Sequence, residues 1–425
     1  MTFALPQPRL DSALHLLKRG DAAMRDNTTS QVDVAVLVFD LRGSGVVRNA
    51  LRIAERVVAA GMSCDLVVVQ GGGDFRHALP SSLRLVQLGA DEGGNRAVAT
   101  LRAVPALRAY VEARRPGVLF SSGNHVHPLA ALALRGVKQP PKLVMRASND
   151  MVHPRKRGWE ALVAPVVAAL ARPWLKAMFA AADRIVAVSR DLAGNIARDL
   201  DLRDHRIDYL PNGIDLATVA RQAAAPLDDP WFSPGAPPVI VGIGRLVRQK
   251  NFPLLVEAFA RLRAHTPARL LILGGGTPAA TARLRAQAER LGVADDVRLA
   301  GFCANPFAYL RRANLFVLSS SWEGMSNALL EALACGCPVV ATNCPTGTAE
   351  VLANGRFGPL VPLDDAAALA DAMAWRLARP RAAESLMARA RVFSLDDTLE
   401  SYIRVFAEEL GRPQPRRSTG LPKVA

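Results

Sequence analysis

Short apolar segments that alternate with helix-like segments constrain the fold of this chain more than any other feature of its sequence. The first, Val34–Phe39, is a continuous apolar run that is followed by a glycine turn and a helical pattern over Val46–Ala60. Gly61 offers a natural end for that helix. Strands that are apolar throughout are typical of parallel sheets covered by helices on both faces. Further strands of this series are predicted at Leu66–Val69, Val118–Phe120, Leu143–Val144, Ile185–Val188 and Ile207–Leu210.

A proline-rich interruption divides this pattern into two series. Five prolines lie between Pro226 and Pro238, which is typical of a linker. The second series again alternates strands with helices, the first of them predicted over Phe252–His265. The sequence therefore predicts an α/β protein with two Rossmann-like, doubly wound parallel sheets that face each other across a cleft, because ligands bind at the carboxyl ends of such strands. The second series of strands is predicted at Val239–Ile243, Leu270–Leu273, Val297–Ala300, Leu315–Leu318 and Val339–Ala341.

The length of 425 residues also favours two domains, because single hydrophobic cores stop growing near ~250–300 residues. We predict an amino-terminal domain over 1–212, a linker over 213–237 and a carboxyl-terminal domain over 238–390. Residues 391–410 are predicted to form a helix, for which packing back on the amino-terminal domain is one option. Residues 411–425, rich in proline and arginine, are expected to be a disordered tail.

Composition and charge restrict the compartment and the partners. The longest nearly apolar stretch, Ala161–Ala171, is much shorter than the roughly 20 residues of a membrane-spanning helix, and the amino terminus lacks the apolar core of a secretory signal. We therefore expect a cytoplasmic protein. The net charge is +15, and residues 101–200 contain 16 Lys/Arg against 6 Asp/Glu. This surplus suits an anionic membrane surface or a phosphorylated substrate, and equally a solvated face. Nucleic acid is not expected, because aromatic residues are scarce and no recognition motif is present.

Metal-ligating patterns are weak. Cys335, Cys337 and Cys344 lie within ten residues, but their spacing matches no usual zinc site and no histidine is nearby. We interpret the five cysteines as free thiols in a reducing compartment. The only Asp-x-Asp sequence, residues 199–201, lies beside arginines at a predicted helix end and is interpreted as solvated. Neither a metal nor a cofactor is expected.

Two glycine-rich turns follow predicted strands. Gly45 lies in the turn after the first strand and opens a helix, where the amino terminus favours an anion such as a phosphate. Arg48 stands where a dinucleotide fingerprint needs a small residue, so a plain tight turn explains the glycines equally well. Gly274–Gly276 is ambiguous for a similar reason, since no Lys-Ser/Thr pair follows it.

Two cations come directly after the first strand of the second series. Arg245 and Lys250 follow Gly244 at a strand end where ligands of parallel sheets bind. Arginine can grip a phosphate with two hydrogen bonds, and lysine adds a compact charge. A pair of solvated surface cations is the alternative.

The strongest local pattern runs from Ser319 to Pro338 and contains two carboxylates. A strand ends near Ser319, Gly324 turns the chain, and Ser326 or Asn327 can cap the next helix. Glu323 is then expected in the loop, and Glu331 one turn inside the helix. Both carboxylates are expected to line the cleft, where a carboxylate suits the vicinal hydroxyls of a ribose. The alternative is an acidic residue that stabilises the helix dipole, but Glu331 lies too far along the helix for that.

These motifs together resemble the signature of glycosyltransferase family 4, whose members are retaining enzymes of the GT-B fold. Glu323 and Glu331 are separated by seven residues, and an Ala-Cys-Gly-Cys-Pro sequence follows them. The resemblance covers most of the chain, and Cys344–Glu350 is similar to a variant found in bacterial members that build cell-surface glycans. Further segments in the family's order are residues 186–189, 211–215, 244–251 and 273–276.

The resemblance implies a role for each matching residue. The carboxyl-terminal domain would bind the donor and the amino-terminal domain the acceptor. Glu323 would hold the donor sugar, Glu331 the ribose, and Arg245 with Lys250 the diphosphate, so that Glu323, Arg245 and Lys250 are the catalytic candidates. The donor-binding residues implied are Gly45, Gly244, Arg245, Lys250, Gly324, Met325, Ser326, Asn327 and Glu331.

The amino-terminal half departs more from the family pattern. His125 and His127 are two further catalytic candidates, because the acceptor-side histidine of many members could match either of them. A structural histidine at the start of the next helix is an equal alternative. Asn149 lies where relatives have a charged or amide cluster.

The resulting prediction is a retaining glycosyltransferase that uses a nucleotide diphosphate sugar as its donor. The expected donor is a UDP-sugar, and the reaction is expected to need no metal. Its acceptor is expected to be a glycan or a lipid-linked molecule in lipopolysaccharide, capsule or exopolysaccharide synthesis. The expected location is cytoplasmic, with peripheral binding to the cytosolic face of the inner membrane left open. The alternatives are a nucleotide-sugar 2-epimerase of the same fold and a non-catalytic nucleotide-sugar-binding scaffold subunit.

Overall fold

The computed structural model of the protein describes residues 31–89, 95–151 and 159–413. Within these ranges the chain forms two parallel sheets, as the two series of apolar strands predict. The first sheet has the order β3-β2-β1-β4-β5-β6-β7 and the second β10-β9-β8-β11-β12-β13. In each sheet the first strands are added to one side of the starting strand and the later strands to its other side. The strand order therefore reverses between β1 and β4 in the first sheet and between β8 and β11 in the second. The predicted fold class is therefore confirmed.

The first sheet is buried on both faces, which explains why its central strands do not alternate apolar with polar residues. In β1, Val34, Val36 and Val38 point into one core, while Ala35 and Leu37 point into another, and all five are inaccessible to solvent. The strands are β1 (Val34–Val38), β2 (Cys64–Val68), β3 (Arg84–Gln87), β4 (Val118–Ser122), β5 (Lys142–Ala147), β6 (Arg184–Ala187) and β7 (Ile207–Tyr209).

Helices cover this sheet on both sides. They are α1 (Gly45–Ala59), α2 (Arg96–Arg102), α3 (Val104–Arg114), α4 (His127–Ala133), α5 (Trp159–Ala180) and α6 (Arg190–Asp199), together with the last described helix, α15 (Leu395–Glu409). Val57 of α1 and Phe406 of α15 share a core on one face of the sheet. Leu107, Leu129 and Phe179 of α3, α4 and α5 pack on the other face.

The second domain repeats this architecture with six strands. They are β8 (Val239–Ile243), β9 (Arg269–Leu273), β10 (Val297–Gly301), β11 (Leu315–Leu318), β12 (Val339–Thr342) and β13 (Leu360–Val361). The remaining helices are α7 (Leu216–Ala223), α8 (Phe252–Arg263), α9 (Pro278–Arg290), α10 (Pro306–Arg312), α11 (Asn327–Ala334), α12 (Thr348–Val351), α13 (Ala366–Leu377) and α14 (Ala383–Arg391). Phe259 of α8 and Met373 of α13 fill the core on one face, and Leu333 of α11 packs on the other.

The segment between the domains is more structured than a proline-rich linker suggests. It contains α7, which packs against α10 and α11 of the second domain. Trp231 lies under the guanidinium groups of Arg269 and Arg298, at 5.2 and 4.3 Å from the ring centre. The linker is therefore held against the second domain.

The carboxyl-terminal helix α15 crosses back to the first sheet, the arrangement that the sequence left open. Its Glu408 accepts hydrogen bonds from Arg184 at 2.7 Å and from Arg206 at 2.8 Å, and its apolar side faces the core of α1 and β1. The first domain is thus completed by residues that follow the second. Of the predicted tail, residues 414–425 lie outside the described residues.

Two strands were not predicted. The edge strand β3 is exposed at Arg84 and half-buried at its other three residues, and β13 has only two residues. Each offers only two consecutive apolar residues, which is shorter than most of the apolar runs that identified the other strands.

Because Phe406 is fully buried between α15 and the first sheet, we expect Phe406→Ala to lower the free energy of unfolding by about 3–5 kcal/mol. Urea denaturation measures this loss. Arg404→Ala, on the half-exposed side of the same helix, is the matched control and should change stability little. Equal, small effects for both variants would contradict the assignment of α15 to the core of the first domain.

Candidate active site

The carboxyl ends of the two sheets approach each other at the loop that precedes α11. Gly324 in this loop lies against the first domain: a Cβ atom on it would stand 1.9 Å from the carbonyl oxygen of Ser148. Any larger residue would force the domains apart. Gly324 therefore permits the close approach that forms the cleft.

Glu323 is a buried carboxylate paired with a lysine of its own domain. Its Oε1 accepts hydrogen bonds from Lys250 Nζ at 2.5 Å and from Ser320 Oγ at 2.8 Å. Gln249 adds a longer contact of 3.4 Å. The structure thus brings together Glu323 and Lys250, two of the five predicted catalytic candidates, because the loops after β8 and β11 are neighbours at the point where the sheet order reverses.

Glu331 is also buried, but its cation comes from the other domain. It is the fifth residue of α11 and only 7% exposed. Arg48 Nη1 of α1 donates to its Oε1 at 3.3 Å. Burial raises the pKa of Glu331, and the charge of Arg48 opposes this rise more than any other group.

The start of α11 is held by the first domain as well. Asn212 donates to the carbonyl of Met325 at 3.0 Å and to Asn327 Oδ1 at 2.8 Å. Gly45 packs on Asn327, since a Cβ atom there would lie 2.7 Å from Asn327 Nδ2. Ser326 occupies the cap position without a capping bond from its side chain, and its buried Oγ has no hydrogen-bond partner among the described residues.

Arg245 differs from the other cations because it is exposed. It forms no ion pair or side-chain hydrogen bond with the part of the chain that the structure describes. The backbone at Gly244, with φ of 152°, lets the loop fold over the Lys250 side chain. Gly274 lies against Gly244, so the second glycine-rich turn serves the close packing of these two loops.

The structure distinguishes the two candidate histidines. His125 is exposed and lies in the electrostatic field of Arg96, Asp40 and Arg245, at the mouth of the cleft. His127 is fully buried at the start of α4, with Nδ1 2.7 Å from Ser121 Oγ. Of these two histidines, only His125 is therefore accessible to a ligand, whereas the side chain of His127 is enclosed within the first domain.

Asn149 and the Asp-x-Asp sequence at residues 199–201 contribute less to the candidate site than the residues described above. The carbonyl of Asn149 accepts a hydrogen bond from Asn124 at 2.8 Å. Asp201 is exposed and pairs with Lys176 at 2.8 Å. Over residues 31–89, 95–151 and 159–413, no group of three or more His, Cys, Asp or Glu side chains could hold a metal ion.

Two features of the site were not predicted from sequence. Arg48 contacts Glu331, and Asn212 connects the domains. The Pro-Asn-Gly motif contains Asn212, so a signal was present for that residue. No local pattern shows contacts between residues hundreds of positions apart.

Comparison with protein families assigns both domains. Residues 43–218 match the family model described as Glycosyltransferase Family 4, and residues 237–379 match that described as Glycosyl transferases group 1. The chain belongs to glycosyltransferase family 4. The predicted recognition is confirmed, and the chain has the GT-B fold of that family.

Two curated relatives are bacterial glycosyltransferases. The chain is 33% identical over 188 residues to the N-acetylgalactosamine-N,N'-diacetylbacillosaminyl-diphospho-undecaprenol 4-alpha-N-acetylgalactosaminyltransferase of Campylobacter jejuni, covering 44% of this chain and 49% of the relative. It is 36% identical over 141 residues to the lipopolysaccharide core biosynthesis glycosyltransferase LpsE of Rhizobium meliloti, covering 33% and 40% respectively. The chain thus matches half or less of the length of these relatives.

Solved structures share the whole fold. HepE of Anabaena, crystallised in complex with UDP, superposes with a TM-score of 0.68 at 16% identity, over 88% of this chain and 100% of that protein. At this identity the likeness shows the fold alone. None of the helices among the described residues is both long and apolar enough to cross a membrane.

Burial lowers the pKa of His127 to about 3, whereas an unfolded histidine titrates near 6.5. The unfolded chain therefore binds a proton that the folded protein excludes, and the contribution of His127 to stability falls by up to about 1.4 kcal/mol per pH unit as the pH drops below 6.5. We expect His127→Gln to reduce this slope between pH 6.5 and 5 in urea denaturation. His265→Gln, at an exposed position, is the control. An unchanged slope in His127→Gln would contradict a neutral, buried His127.

Proposed function

We propose that this family 4 member is a retaining glycosyltransferase that uses a nucleotide diphosphate sugar, with UDP as the expected nucleotide. Its acceptor is a glycan or a lipid-linked molecule in the synthesis of lipopolysaccharide or another cell-surface polysaccharide. The observation that carries this proposal is that Glu323, Lys250 and Glu331 lie buried at one edge of the second sheet, beneath the first domain. Arg245 follows β8 at the same edge. The UDP bound to HepE and the naming of both bacterial relatives as glycosyltransferases support it.

Each group has a separate task in the proposed reaction. Glu331 accepts hydrogen bonds from the ribose, and Glu323 accepts them from hydroxyls of the donor sugar. A carboxylate oxygen offers several lone pairs, so Glu323 can bind a sugar hydroxyl while it keeps Lys250 in place. Lys250 and Arg245 then face the diphosphate together with the N–H groups that open α11.

The chemical step breaks the bond between the anomeric carbon and the diphosphate oxygen, and an acceptor hydroxyl forms the new bond on the same face of the sugar. Negative charge develops on the departing diphosphate, which takes up the proton of the acceptor hydroxyl. Fixed cations that are aimed at this charge stabilise the transition state without reorganisation. We therefore propose that Arg245, Lys250 and the start of α11 replace a divalent metal.

The acceptor is proposed to approach from the first domain, past His125. Two alternatives make different products. A 2-epimerase would isomerise the nucleotide sugar without an acceptor, whereas a scaffold subunit would bind it and release no nucleoside diphosphate. Product analysis with and without acceptor separates all three.

If Arg245 stabilises the leaving diphosphate, Arg245→Ala should lower kcat roughly 10²–10³-fold, the effect of removing one preorganised charge partner. Release of nucleoside diphosphate in the presence of acceptor measures the rate. Arg248→Ala, at an exposed position three residues away, is the matched control and should retain activity.

The same assay tests the absence of a metal requirement. Activity should survive excess EDTA in the wild-type protein. Complete loss with EDTA, restored by magnesium or manganese, would refute neutralisation by fixed cations and return Asp199 and Asp201 to consideration.

We further propose that α5 carries a membrane-facing surface near the acceptor side. Leu170 and Trp174 are 77% and 50% exposed on this helix, and Arg172 beside them is exposed as well. Exposed apolar residues flanked by cations suit an interface with anionic lipids. The basic residues among 153–157, part of the charge surplus noted in the sequence, lie outside the described residues.

Liposome flotation tests this surface. The wild-type protein should bind vesicles that contain anionic phospholipid, and Leu170→Ser/Trp174→Ser should weaken binding on the order of tenfold because two apolar side chains lose their burial in the lipid. Trp375→Ser, at a 47% exposed tryptophan of the second domain, is the matched control. Binding that ignores anionic lipid and salt, or is unchanged in the double variant, would contradict this assignment.

A further inference from the structure

The ion pair between Arg48 and Glu331 joins the two domains at the centre of the candidate site. The Glu331 side chain is 9% exposed, while that of Arg48 is 42% exposed. The second domain therefore buries a carboxylate for which the other domain supplies the contacting cation. Removing one partner of such a pair leaves an uncompensated charge.

Other charged groups face Glu331 without replacing Arg48. Arg52 of α1 and Lys250 both lower the pKa of Glu331, and Asp215 at the start of α7 lines the same pocket. The ammonium group of Lys250 is bound by Glu323, and Arg52 has no ion pair with the residues described. Arg48 is thus the cation that contacts the carboxylate directly.

The backbone that carries Arg48 is fixed relative to α11. Ser44 caps α1 by accepting a hydrogen bond from the Val47 N–H at 3.3 Å. One turn along, Asn49 donates to Asn212 at 3.2 Å, and Asn212 in turn donates to Asn327 of α11. Arg48 therefore approaches Glu331 from a defined direction and bonds only Oε1, which leaves Oε2 available to another donor.

We propose that Arg48 is a positioning residue for donor recognition: it keeps Glu331 ionised and oriented to accept hydrogen bonds from the ribose, so that the donor site is complete only when the first domain closes on the second. This inference rests on the proposed function, in which Glu331 holds the ribose. It assigns to the acceptor-side domain a part in nucleotide affinity, and nucleotide binding should in turn favour the closed arrangement.

Isothermal titration calorimetry between pH 5 and 8 tests the proposal, with UDP, GDP and ADP as probes. For the nucleotide that binds wild type most tightly, Arg48→Met should weaken affinity on the order of tenfold, the equivalent of about 1.4 kcal/mol. Affinity falls as Glu331 is protonated, and loss of the nearby positive charge raises its pKa. The acidic fall in affinity should therefore begin at a higher pH in Arg48→Met.

Two further variants separate the effect of the Arg48 charge from that of its guanidinium geometry and from a general effect on the helix. Arg48→Lys retains the charge but not the planar guanidinium, so it should keep the wild-type pH dependence while losing part of the affinity. Arg56→Met on the same helix removes an ion pair with Glu400 of α15, away from the cleft, and should leave nucleotide affinity unchanged. Urea denaturation of each variant verifies the fold.

Glu331→Gln distinguishes the inference from the proposed function. If it does not weaken nucleotide binding, or if no nucleoside diphosphate binds wild type, the proposed role of Glu331 fails. If Glu331→Gln weakens binding but Arg48→Met does not, or leaves the pH dependence unchanged, the role of Glu331 stands and the positioning role of Arg48 is overturned.

Discussion

The need to compensate two buried carboxylates organises the cleft of this protein. Glu323 and Glu331 are both nearly inaccessible to solvent, and a buried charge is costly unless it is paired and hydrogen-bonded. Lys250, from a neighbouring loop of the same domain, meets Glu323. Arg48, from the opposite domain, meets Glu331. One carboxylate therefore depends only on the fold of the second domain, whereas the other depends also on how the two domains are arranged.

The rest of the architecture holds that arrangement. Helix α15 follows the second domain in sequence but completes the core of the first, so the chain crosses between the domains twice. At the first crossing Asn212 bonds the loop that begins α11, and Arg146 donates to Asn212 at 2.6 Å and to Tyr402 of α15 at 3.0 Å. This buried network connects the first crossing and α15 to the loop that begins α11. Glycine at position 324 then lets the backbones touch.

The cations that face the cleft fall into two groups. Lys250 and Arg48 are engaged by carboxylates, whereas Arg245 is exposed and unpaired among the described residues. An arginine without a protein partner, at the carboxyl end of a parallel strand, suits a phosphate that arrives with the substrate. In the proposed reaction the paired cations maintain the shape of the site, and Arg245 responds most directly to the charge of the departing diphosphate.

The sequence by itself determined the two-sheet architecture, because central parallel strands are buried on both faces and must be apolar throughout, as Val34–Val38 and Val239–Ile243 are. The sequence pattern around Glu323 and Glu331, together with the family resemblance, predicted that Glu323 lies in a loop and Glu331 in the helix that follows it. The edge strands β3 and β13 were missed because each contains only two consecutive apolar residues. Only the tertiary structure decided that Arg48 pairs with Glu331, that His125 rather than His127 faces the cleft, and that α15 returns to the first sheet. These outcomes depend on contacts between residues far apart in the chain, which local patterns of hydrophobicity do not encode.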